Sequence, residues 1–593
     1  MLLPAPALEA GPAPVLDTRP AAKTPFAARL LPSLTDLAFL MPLFFIFVKL
    51  TGTHILLGDG DTGWHIRTGQ WILANGRVPH ADIFSFSRPG APWFAWEWLW
   101  DMLFAAIHQY GGLASVVIAS LAIICLTSAG LFRLTRRKSN NGFVAIAVTL
   151  LATGACSIHW LARPHLFTQL FLVIALHITG RAAGDGTIVA RGKLLAWLVP
   201  MTLLWTNLHG GFFVIFLVLL CYIGGNLLNA ALEADREKRA QYLRFTAPWV
   251  FTALGCFAVT FINPYGWQLH KHIVQYLSDT AQIDHIVEFQ PVNFHHPTSA
   301  YFEPLMILAL LTALWDARNR RFADVFLNLG WLHLALIAQR NIPLFAIAAS
   351  PLVARGVASA IDASRDARVA RWLRAIAVWF STSSTEFEET DRIPRMHLLS
   401  VASFAFIGAL LLTPRPASAK FTPAYDPGSY PERALGVLRT EETHHIFSDD
   451  EWGDYLLYHL YPSKRVFIDG RSDFYGDDFN QVYLDLMGLK PGWQKTLDKY
   501  SIDTVVLSPR FALTSALKIS RDWRVAYDDG VAVVFRRTAQ GRSRLTRSLV
   551  SSNEGSIRDR AITNQRNTDR KITQPGGPEI KTNQDHQTKY QHP

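Results

Sequence analysis

The segment Gly58-Asp59-Gly60-Asp61-Thr62-Gly63-Trp64-His65 directly follows the first long apolar run of the chain, residues 33–57. This run has the length that crosses a bilayer as a helix. Charged side chains at the boundary of a hydrocarbon layer cost free energy, so two carboxylates one residue apart at this point indicate a functional role. The segment therefore predicts that the polypeptide leaves a membrane here and presents acidic side chains at its surface.

The composition predicts a polytopic membrane protein. Of 593 residues, 50% are hydrophobic and only 18% are charged, whereas a soluble protein of this length carries about 25% charged residues. The apolar residues are concentrated in runs that are long enough to span a membrane. The eleven predicted spans are 33–57, 112–132, 142–160, 164–180, 193–207, 210–231, 246–263, 301–315, 322–338, 342–358 and 396–413.

The charges of the loops predict the orientation of these spans. Every second connection is rich in Lys and Arg, and the positive-inside rule places such connections in the cytoplasm. The leader, residues 1–32, is then cytoplasmic, and the alternate connections face the outside. Basic loops and a basic tail account for much of the net charge of +10, so no nucleic-acid partner is predicted. The external segments are 58–111, 163–165, 207–211, 264–300, 339–341 and everything after 413.

The residues after the last span predict a separate external domain. Residues 423–537 alternate apolar runs with helical patterns, which is typical of a small α/β layer. Residues 538–593 are rich in Asn, Gln, Thr, Arg and Lys and are predicted to be disordered. The predicted fold is thus a polytopic α-helical membrane domain, residues 33–413, followed by a C-terminal extracytoplasmic α/β domain.

The first external loop carries two acidic positions with helical spacing. Asp61 and His65 lie four residues apart, hence on one face of a helix, with Trp64 beside them. Glu97 and Asp101 have the same spacing in a Trp-rich segment that suits a helix at the lipid interface. The loop could present both acidic positions to one cavity. The alternative is that the first acidic residues only cap a helix.

The order of these features resembles the GT-C superfamily, integral-membrane glycosyltransferases that use lipid-phosphate-linked sugars. The resemblance is to the protein O-mannosyltransferase, aminoarabinose-transferase and RgtA/B/C/D-like group, and it implies a divergent bacterial subfamily. It covers about residues 30–360 as architecture and includes a second surface helix that ends at Gly111-Gly112. The usual Asp-Glu-x-x-Tyr signature is matched by Asp61-Thr62-Gly63-Trp64-His65 at the Asp only. Trp96-Glu97-Trp98-Leu99 stands where His-Pro-Pro-Leu belongs.

The resemblance implies a reaction and assigns roles. A carboxylate would act as base for an acceptor hydroxyl that attacks the anomeric carbon as lipid phosphate leaves, which contributes about 10²–10⁴-fold. Asp61 is the candidate base, with Glu97 and Asp101 as second carboxylates. Asp59 and Asp61 could hold Mg²⁺ or Mn²⁺ through oxygen ligands. The metal-free alternative supplies positive charge to the phosphate from Arg163, His165, His209 or Arg340.

Other residues are predicted to bind substrate. Trp64 and His65 would line the acceptor or sugar pocket, and Asn207 lies in a tight external turn. Asp469 and Arg471 follow a predicted strand, where ligands bind in α/β layers. The structural alternatives are a helix-to-helix turn for Asn207 and a salt bridge between Asp469 and Arg471.

The sequence therefore predicts a glycosyltransferase of the cytoplasmic membrane. It would move a sugar from a polyprenyl-phosphate donor to a glycan, lipid or protein acceptor at the outer face. A transporter or flippase of lipid-linked glycans is one alternative, although it should show polar residues within the spans and paired repeats. A non-catalytic scaffold with a binding ectodomain is the other.

Overall fold

The computed structural model describes residues 26–184, 187–278, 286–366, 371–391, 393–416 and 418–546. Most of the predicted leader and most of the predicted tail lie outside these residues. The described chain forms two compact units. The membrane unit holds the described residues up to Ile83 together with Gly90–Tyr430 and Gly470–Phe474. The sheet unit holds Phe84–Pro89, Pro431–Asp469 and the described residues from Tyr475 onward.

The predicted spans are present as helices. Within the described residues, nine helices are long and apolar enough to cross a membrane, and two shorter apolar helices coincide with the predicted spans 322–338 and 396–413. The two groups correspond one to one with the eleven predicted spans, which confirms a multi-pass membrane protein. The nine are Phe26–Lys49, Trp98–Ser139, Gly142–His159, His165–Gly184, Ile188–Leu208, Gly210–Leu232, Arg236–Val259, Ser299–Arg318 and Gln339–Arg365.

Individual α-helices of the membrane unit are shorter than some of these spans, because short π and 3₁₀ turns join them. The amphipathic helix Arg371–Asp391 was not predicted, since its charged residues break the apolar pattern. The α-helices are Phe26–Leu30, Leu34–Phe44, Thr53–Leu56, Asp61–Asn75, Trp98–Ser139, Gly142–Cys156, His165–Gly184, Ile188–Leu195, Leu198–Leu208, Val214–Leu232, Arg236–Val259, Gln268–Ser278, Ser299–Arg318, Phe322–Ile337, Ile342–Asp366, Arg371–Asp391 and Leu398–Leu412.

Local sequence explains the ends of the first helices. Ser33 caps helix Leu34–Phe44 in a capping box with Asp36. The apolar helix ends before Gly52, whose φ of 73° leaves the helical region, so the first span is shorter than predicted. The helix Asp61–Asn75 ends at Gly76, which adopts the left-handed conformation that favours glycine.

The long helix Trp98–Ser139 begins inside the predicted loop 58–111. Gly111 and Gly112 have non-helical backbone angles and kink this helix. The kink lies where the second surface helix was predicted to end. Asp101 lies in the first turn of this helix, before the kink, and the membrane span follows after the kink.

The sheet unit is an α/β layer, as predicted. Its strand order is β2-β1-β3-β5-β4, with β2, β1 and β3 parallel and β5 antiparallel to both β3 and β4. The strands are β1 His445–Phe447, β2 Arg465–Val466, β3 Thr504–Leu507, β4 Trp523–Asp528 and β5 Val533–Arg537. The remaining helices are Leu435–Leu438, Asp450–Leu460, Ser472–Met487, Trp493–Lys499 and Ala512–Ile519.

The start of the predicted disordered tail is corrected by the structure. Residues 539–546 are helical. Arg544 holds this turn to the sheet unit, because its Nη1 lies 2.8 Å from Oδ2 of Asp522. Residues 547–593 lie outside the described part of the chain, so disorder there stays a prediction.

Candidate functional site

Arg163 joins the two aspartates that follow the first span. The Nη1 atom of Arg163 lies 2.6 Å from Oδ2 of Asp59, and its Nη2 lies 2.5 Å from Oδ2 of Asp61. The other oxygen of Asp59 accepts a hydrogen bond from the backbone N–H of Asp61 at 2.8 Å, at the start of helix Asp61–Asn75. Arg163 comes from the turn before His165–Gly184, and its planar fork suits two carboxylates at once.

This arrangement bears on the predicted metal site. The guanidinium of Arg163 already contacts one oxygen of Asp59 and one of Asp61, which were the proposed ligands for Mg²⁺ or Mn²⁺. Nowhere in the described part of the chain are three or more His, Cys, Asp or Glu side chains placed to hold a metal ion. The residues as arranged do not fit a divalent cation.

Glu97, His65 and Asp101 form a continuous row of side chains. Nδ1 of His65 lies 2.6 Å from Oδ1 of Asp101, and Nε2 of His65 lies 3.5 Å from Oε2 of Glu97. The side chains of His65 and Asp101 are buried, whereas that of Glu97 is 12% exposed. The sequence spacing of four residues thus did place Glu97 and Asp101 on one side of their helix, and both face His65.

Close helix packing makes this row possible. Helix Asp61–Asn75 carries His65, and the first turns of Trp98–Ser139 carry Asp101. The two helices meet at Gly69, where an added Cβ would lie 1.9 Å from the carbonyl oxygen of Asp101. No larger residue fits here without moving the backbone that holds Asp101.

His209 contacts Glu97 from the other side. Its Nε2 lies 3.4 Å from Oε1 of Glu97. Its Nδ1 accepts a hydrogen bond from the backbone N–H of Gly211 at 3.0 Å and lies 2.7 Å from Oγ1 of Thr168, which itself accepts from Nε1 of Trp205. Because Nδ1 is an acceptor, the neutral imidazole carries its hydrogen on Nε2 and donates toward Glu97.

Burial sets the protonation of this cluster. Desolvation raises the pKa of Glu97 to about 8, although the charge of Arg163 opposes the shift. Burial lowers the pKa of His65 well below its usual value, and it lowers the pKa of His209 to about 3. At neutral pH Glu97 is therefore mainly protonated, and both imidazoles are neutral.

Arg340 differs from Arg163 in its partners. Its Nη1 lies 3.4 Å from the hydroxyl of Tyr276, and its guanidinium lies 4.6 Å from the centre of the Phe289 ring. Within the described residues it forms no ion pair with a carboxylate, whereas Arg163 has two short ones. A half-buried guanidinium in this state is suited to bind an anion.

The remaining predicted residues of the membrane unit contact other groups of the protein. Trp64 stacks on His65 with ring centroids 3.6 Å apart, and both residues are buried. His165 approaches the carbonyl oxygen of His159 with Nε2 at 2.8 Å. The amide of Asn207 accepts from Nε1 of Trp98 and donates to two backbone carbonyls. These contacts position protein groups, so the predicted substrate contacts of Trp64, His65, His165 and Asn207 stay predictions.

Arg471 and Asp469 fall in different units. In the membrane unit, Nη2 of Arg471 lies 2.7 Å from Oδ1 of Asp82, and the Arg471 guanidinium lies 4.4 Å from the centre of the Trp93 ring. Both members of this ion pair are buried. In the sheet unit, Oδ2 of Asp469 accepts a hydrogen bond from the hydroxyl of Tyr475 at 2.9 Å. Arg471 is thus held in a buried ion pair, and the predicted substrate contacts of Asp469 and Arg471 stay predictions.

Three residues of the external loop 264–300 were missed by the sequence reasoning. Glu288 lies 3.7 Å from both Nη1 of Arg163 and Nδ1 of His159. Tyr276 contacts Arg340, and His272 pairs with Asp473 at 2.9 Å. The only sequence signal was the predicted position of this loop on the same side as the first one.

Comparison with known proteins identifies the fold. No protein-family model and no curated protein sequence match the chain. The structure is similar to the oligosaccharyltransferase of Archaeoglobus fulgidus tethered to an acceptor peptide that contains the NVT sequon. The TM-score is 0.51 at 12% identity, and the match covers 80% of this chain and 68% of the other. The chain therefore shares its fold with this oligosaccharyltransferase.

Two further solved structures match the chain. Archaeal oligosaccharyltransferase AglB from Archaeoglobus fulgidus, in complex with an inhibitory peptide and a dolichol-phosphate, gives a TM-score of 0.51 at 13% identity over 80% of this chain and 69% of the other. ArnT from Cupriavidus metallidurans, bound to undecaprenyl phosphate, gives 0.43 at 14% identity over 85% and 98%. At 12–13% identity, the similarity to the two oligosaccharyltransferase structures is one of fold.

Proposed function

We propose that this protein is a membrane glycosyltransferase that transfers a sugar from a polyprenyl-phosphate donor to a hydroxyl acceptor. The observation that carries the proposal is the clustering of Asp61, Glu97, Arg163 and Arg340 in the membrane unit of a GT-C fold. The archaeal neighbour in complex with a dolichol-phosphate and a peptide supports a lipid phosphate and an acceptor as partners. The positive-inside pattern supports a site at the outer face of the cytoplasmic membrane.

The charges of the cluster suggest how the roles are divided. Arg163 keeps Asp61 beside a fixed positive charge, which favours the ionised carboxylate that a general base requires. Arg340 has a guanidinium available for the leaving phosphate. Glu97 is mainly protonated at neutral pH, which suits a proton donor better than a base. The assignment of Asp61 as base rests on this difference between two carboxylates in one cluster.

The proposal is tested with Asp61→Asn in the full-length protein. We expect purified wild type to transfer labelled sugar from at least one member of a panel of undecaprenyl-phosphate sugars. Asp61→Asn should lose about 10²-fold or more of this rate, because it removes the base. Asp485→Asn is the matched control, since Asp485 is a partly exposed carboxylate of the sheet unit paired with Lys490.

Two results would overturn the proposal. Full transfer activity in a correctly folded Asp61→Asn protein would remove this residue from the chemistry. Failure of the wild type to transfer sugar from every undecaprenyl-phosphate donor, under conditions in which it binds undecaprenyl phosphate, would favour the scaffold or flippase alternatives.

A further inference from the structure

We propose that Asp101, His65 and Glu97 form a proton relay and that Glu97, its outermost member, protonates the lipid phosphate as it leaves. This inference rests on the proposed glycosyl transfer and adds a general acid to it. Glu97 would be a catalytic residue. His65 and Asp101 would be positioning residues that act through Glu97.

The three side chains form a row with the imidazole of His65 at its centre. One imidazole stands between two carboxyl groups, with its Nδ1 2.6 Å from Asp101 and its Nε2 3.5 Å from Glu97. The inner members are buried, and only Glu97 retains exposed side-chain surface. A proton can therefore enter or leave the row from one end.

The contacts of the two histidines indicate where the hydrogens of this row lie. Nε2 of His209 carries its hydrogen and lies 3.4 Å from Oε1 of Glu97, so a carboxyl hydrogen of Glu97 is better placed on Oε2, which faces His65. His65 then presents an unprotonated Nε2 to Glu97 at 3.5 Å, a gap that must shorten for a proton to pass, and donates from Nδ1 to Asp101. Shifting each hydrogen by one step moves the proton to Asp101 and leaves the imidazole neutral again. The two arrangements differ only in which carboxyl group holds the proton.

Asp101 forms the inner, buried end of the row. Within the described residues, Oδ2 of Asp101 is buried and has no hydrogen-bond partner. A buried carboxylate without compensating bonds on one oxygen is costly, and protonation removes that cost. Asp101 is thus suited to hold a proton in reserve rather than to hold a permanent charge.

The reaction balances without a further reactant. The acceptor O–H bond breaks, its proton passes to Asp61, and the acceptor oxygen forms a bond to the anomeric carbon. The bond from that carbon to the phosphate oxygen breaks, and its electron pair stays on the oxygen, which takes the proton of Glu97. Before this step, a proton held on Asp101 reaches Glu97 through His65. Asp61 releases one proton to water and the row takes one up, so both return to their initial states.

Several groups near Glu97 affect its titration. Positive charges favour its ionised form, and negative charges oppose it. The histidines in contact with it are neutral at neutral pH. The neighbours are Arg163, Arg340, Asp61, Asp473, His65, His209 and, beyond His65, Asp101.

Infrared spectroscopy on the full-length protein tests the relay without relying on sugar transfer. We expect a protonated-carboxyl C=O band at neutral pH that disappears in Glu97→Gln. Addition of farnesyl phosphate, a soluble isoprenyl monoester, should shift this band in the wild type, because the phosphate accepts a hydrogen bond from the protonated carboxyl group of Glu97. The band should remain in Glu441→Gln, which alters an exposed carboxylate of the sheet unit. A Glu97 that is ionised at neutral pH, or a band that ignores farnesyl phosphate, would overturn the inference.

Chemical rescue separates proton delivery from a structural role. Glu97→Ala should lose transfer activity and regain part of it when formate is added, because a small acid can replace the missing carboxyl group. His65→Gln should slow turnover while leaving the KM for the donor unchanged, and added imidazole should restore part of the rate. Absence of both rescues, in variants that still bind farnesyl phosphate, would show that the row is only structural.

These outcomes are independent of the outcome for Asp61. If Asp61→Asn is inactive but Glu97→Gln is fully active, glycosyl transfer stands and the relay fails. If the farnesyl phosphate response of the carboxyl band is present but no sugar is transferred, Glu97 still donates a hydrogen bond to the phosphate and the proposed transfer fails.

Discussion

The Nη2 atom of Arg163 lies 2.5 Å from Oδ2 of Asp61, and the same guanidinium reaches Asp59 at 2.6 Å. A fixed cation thus stands where two adjacent carboxylates could have held a metal ion. The contact joins the turn before His165–Gly184 to the first turn of Asp61–Asn75, so it links the first external loop to a membrane helix. It also places a positive charge beside the proposed base.

Replacing Arg163 should expose the latent metal-binding ability of this pair. In Arg163→Met, Asp59 and Asp61 lose their shared cation, and their oxygens are hard ligands that suit Mn²⁺. We expect the variant to unfold at a lower temperature than wild type and to recover stability when Mn²⁺ is added. The measurement is the melting temperature with and without Mn²⁺.

Arg163→Met/Asp61→Asn is the control, because it removes one of the two carboxylates and should respond to Mn²⁺ much less. An equal Mn²⁺ response in wild type would contradict the idea that Arg163 competes with a metal for these residues.

Glu97 should make the stability of the protein depend on pH. Its pKa is about 8 in the folded protein, compared with 4.5 for an unperturbed Glu. Between these values the unfolded chain has released a proton that the folded chain keeps, so stability falls as the pH rises. The shift corresponds to about 5 kcal/mol as an upper order of magnitude. Glu97→Gln should therefore raise the melting temperature near pH 8 and have little effect near pH 5.

Melting curves of Glu97→Gln and wild type across this pH range provide the test, with Glu441→Gln as a control that should follow wild type. A Glu97→Gln effect of the same size at both ends of the range would mean that burial does not suppress the ionisation of Glu97.

Arg340 should bind the lipid phosphate. Arg340→Ala removes a guanidinium that has no carboxylate partner among the described residues, so its loss should cost binding rather than folding. A hydrogen bond to a charged group contributes about 1.5–3 kcal/mol, which predicts about 10–150-fold weaker binding of farnesyl phosphate. Arg340→Lys should lose less, because it keeps the charge but not the fork.

Isothermal titration with farnesyl phosphate measures these affinities. Arg524→Ala, which removes an exposed arginine of β4, should bind like wild type. Unchanged affinity in a folded Arg340→Ala protein would remove Arg340 from the phosphate site.

The outline of the fold could be predicted from the sequence because its determinants are local. Apolar length located the nine long and two shorter apolar helices found among the described residues, and Gly111-Gly112 located the kink. The spacing of Glu97 and Asp101 predicted that they lie on one side, and both side chains face His65. The identity of their shared partner, His65, depends on how two helices pack, and no spacing contains that information.

Partners far apart in sequence account for what could not be predicted. Arg471 was expected to pair with Asp469 two residues away or to bind substrate, and nothing in the sequence indicated its ion pair with the distant Asp82. Tyr276 and Glu288 lie in a loop whose polar residues show no periodic pattern, yet they contact Arg340 and Arg163. Tertiary contacts of this kind are set by the packing of the whole membrane unit.

Gly69 should be indispensable for the relay. A methyl group at this position would lie 1.9 Å from the carbonyl oxygen of Asp101, and backbone cannot move aside as a side chain can. Gly69→Ala should therefore separate the two helices, destabilise the protein by about 1–3 kcal/mol and abolish the farnesyl phosphate response of the Glu97 carboxyl band. Gly180→Ala is a matched control, since a Cβ at this helical glycine meets no atom within 4 Å. It should leave the band intact and be neutral or stabilising by up to about 1 kcal/mol. If Gly69→Ala instead retains the melting temperature and the infrared response of wild type, the contact between these helices does not position Asp101.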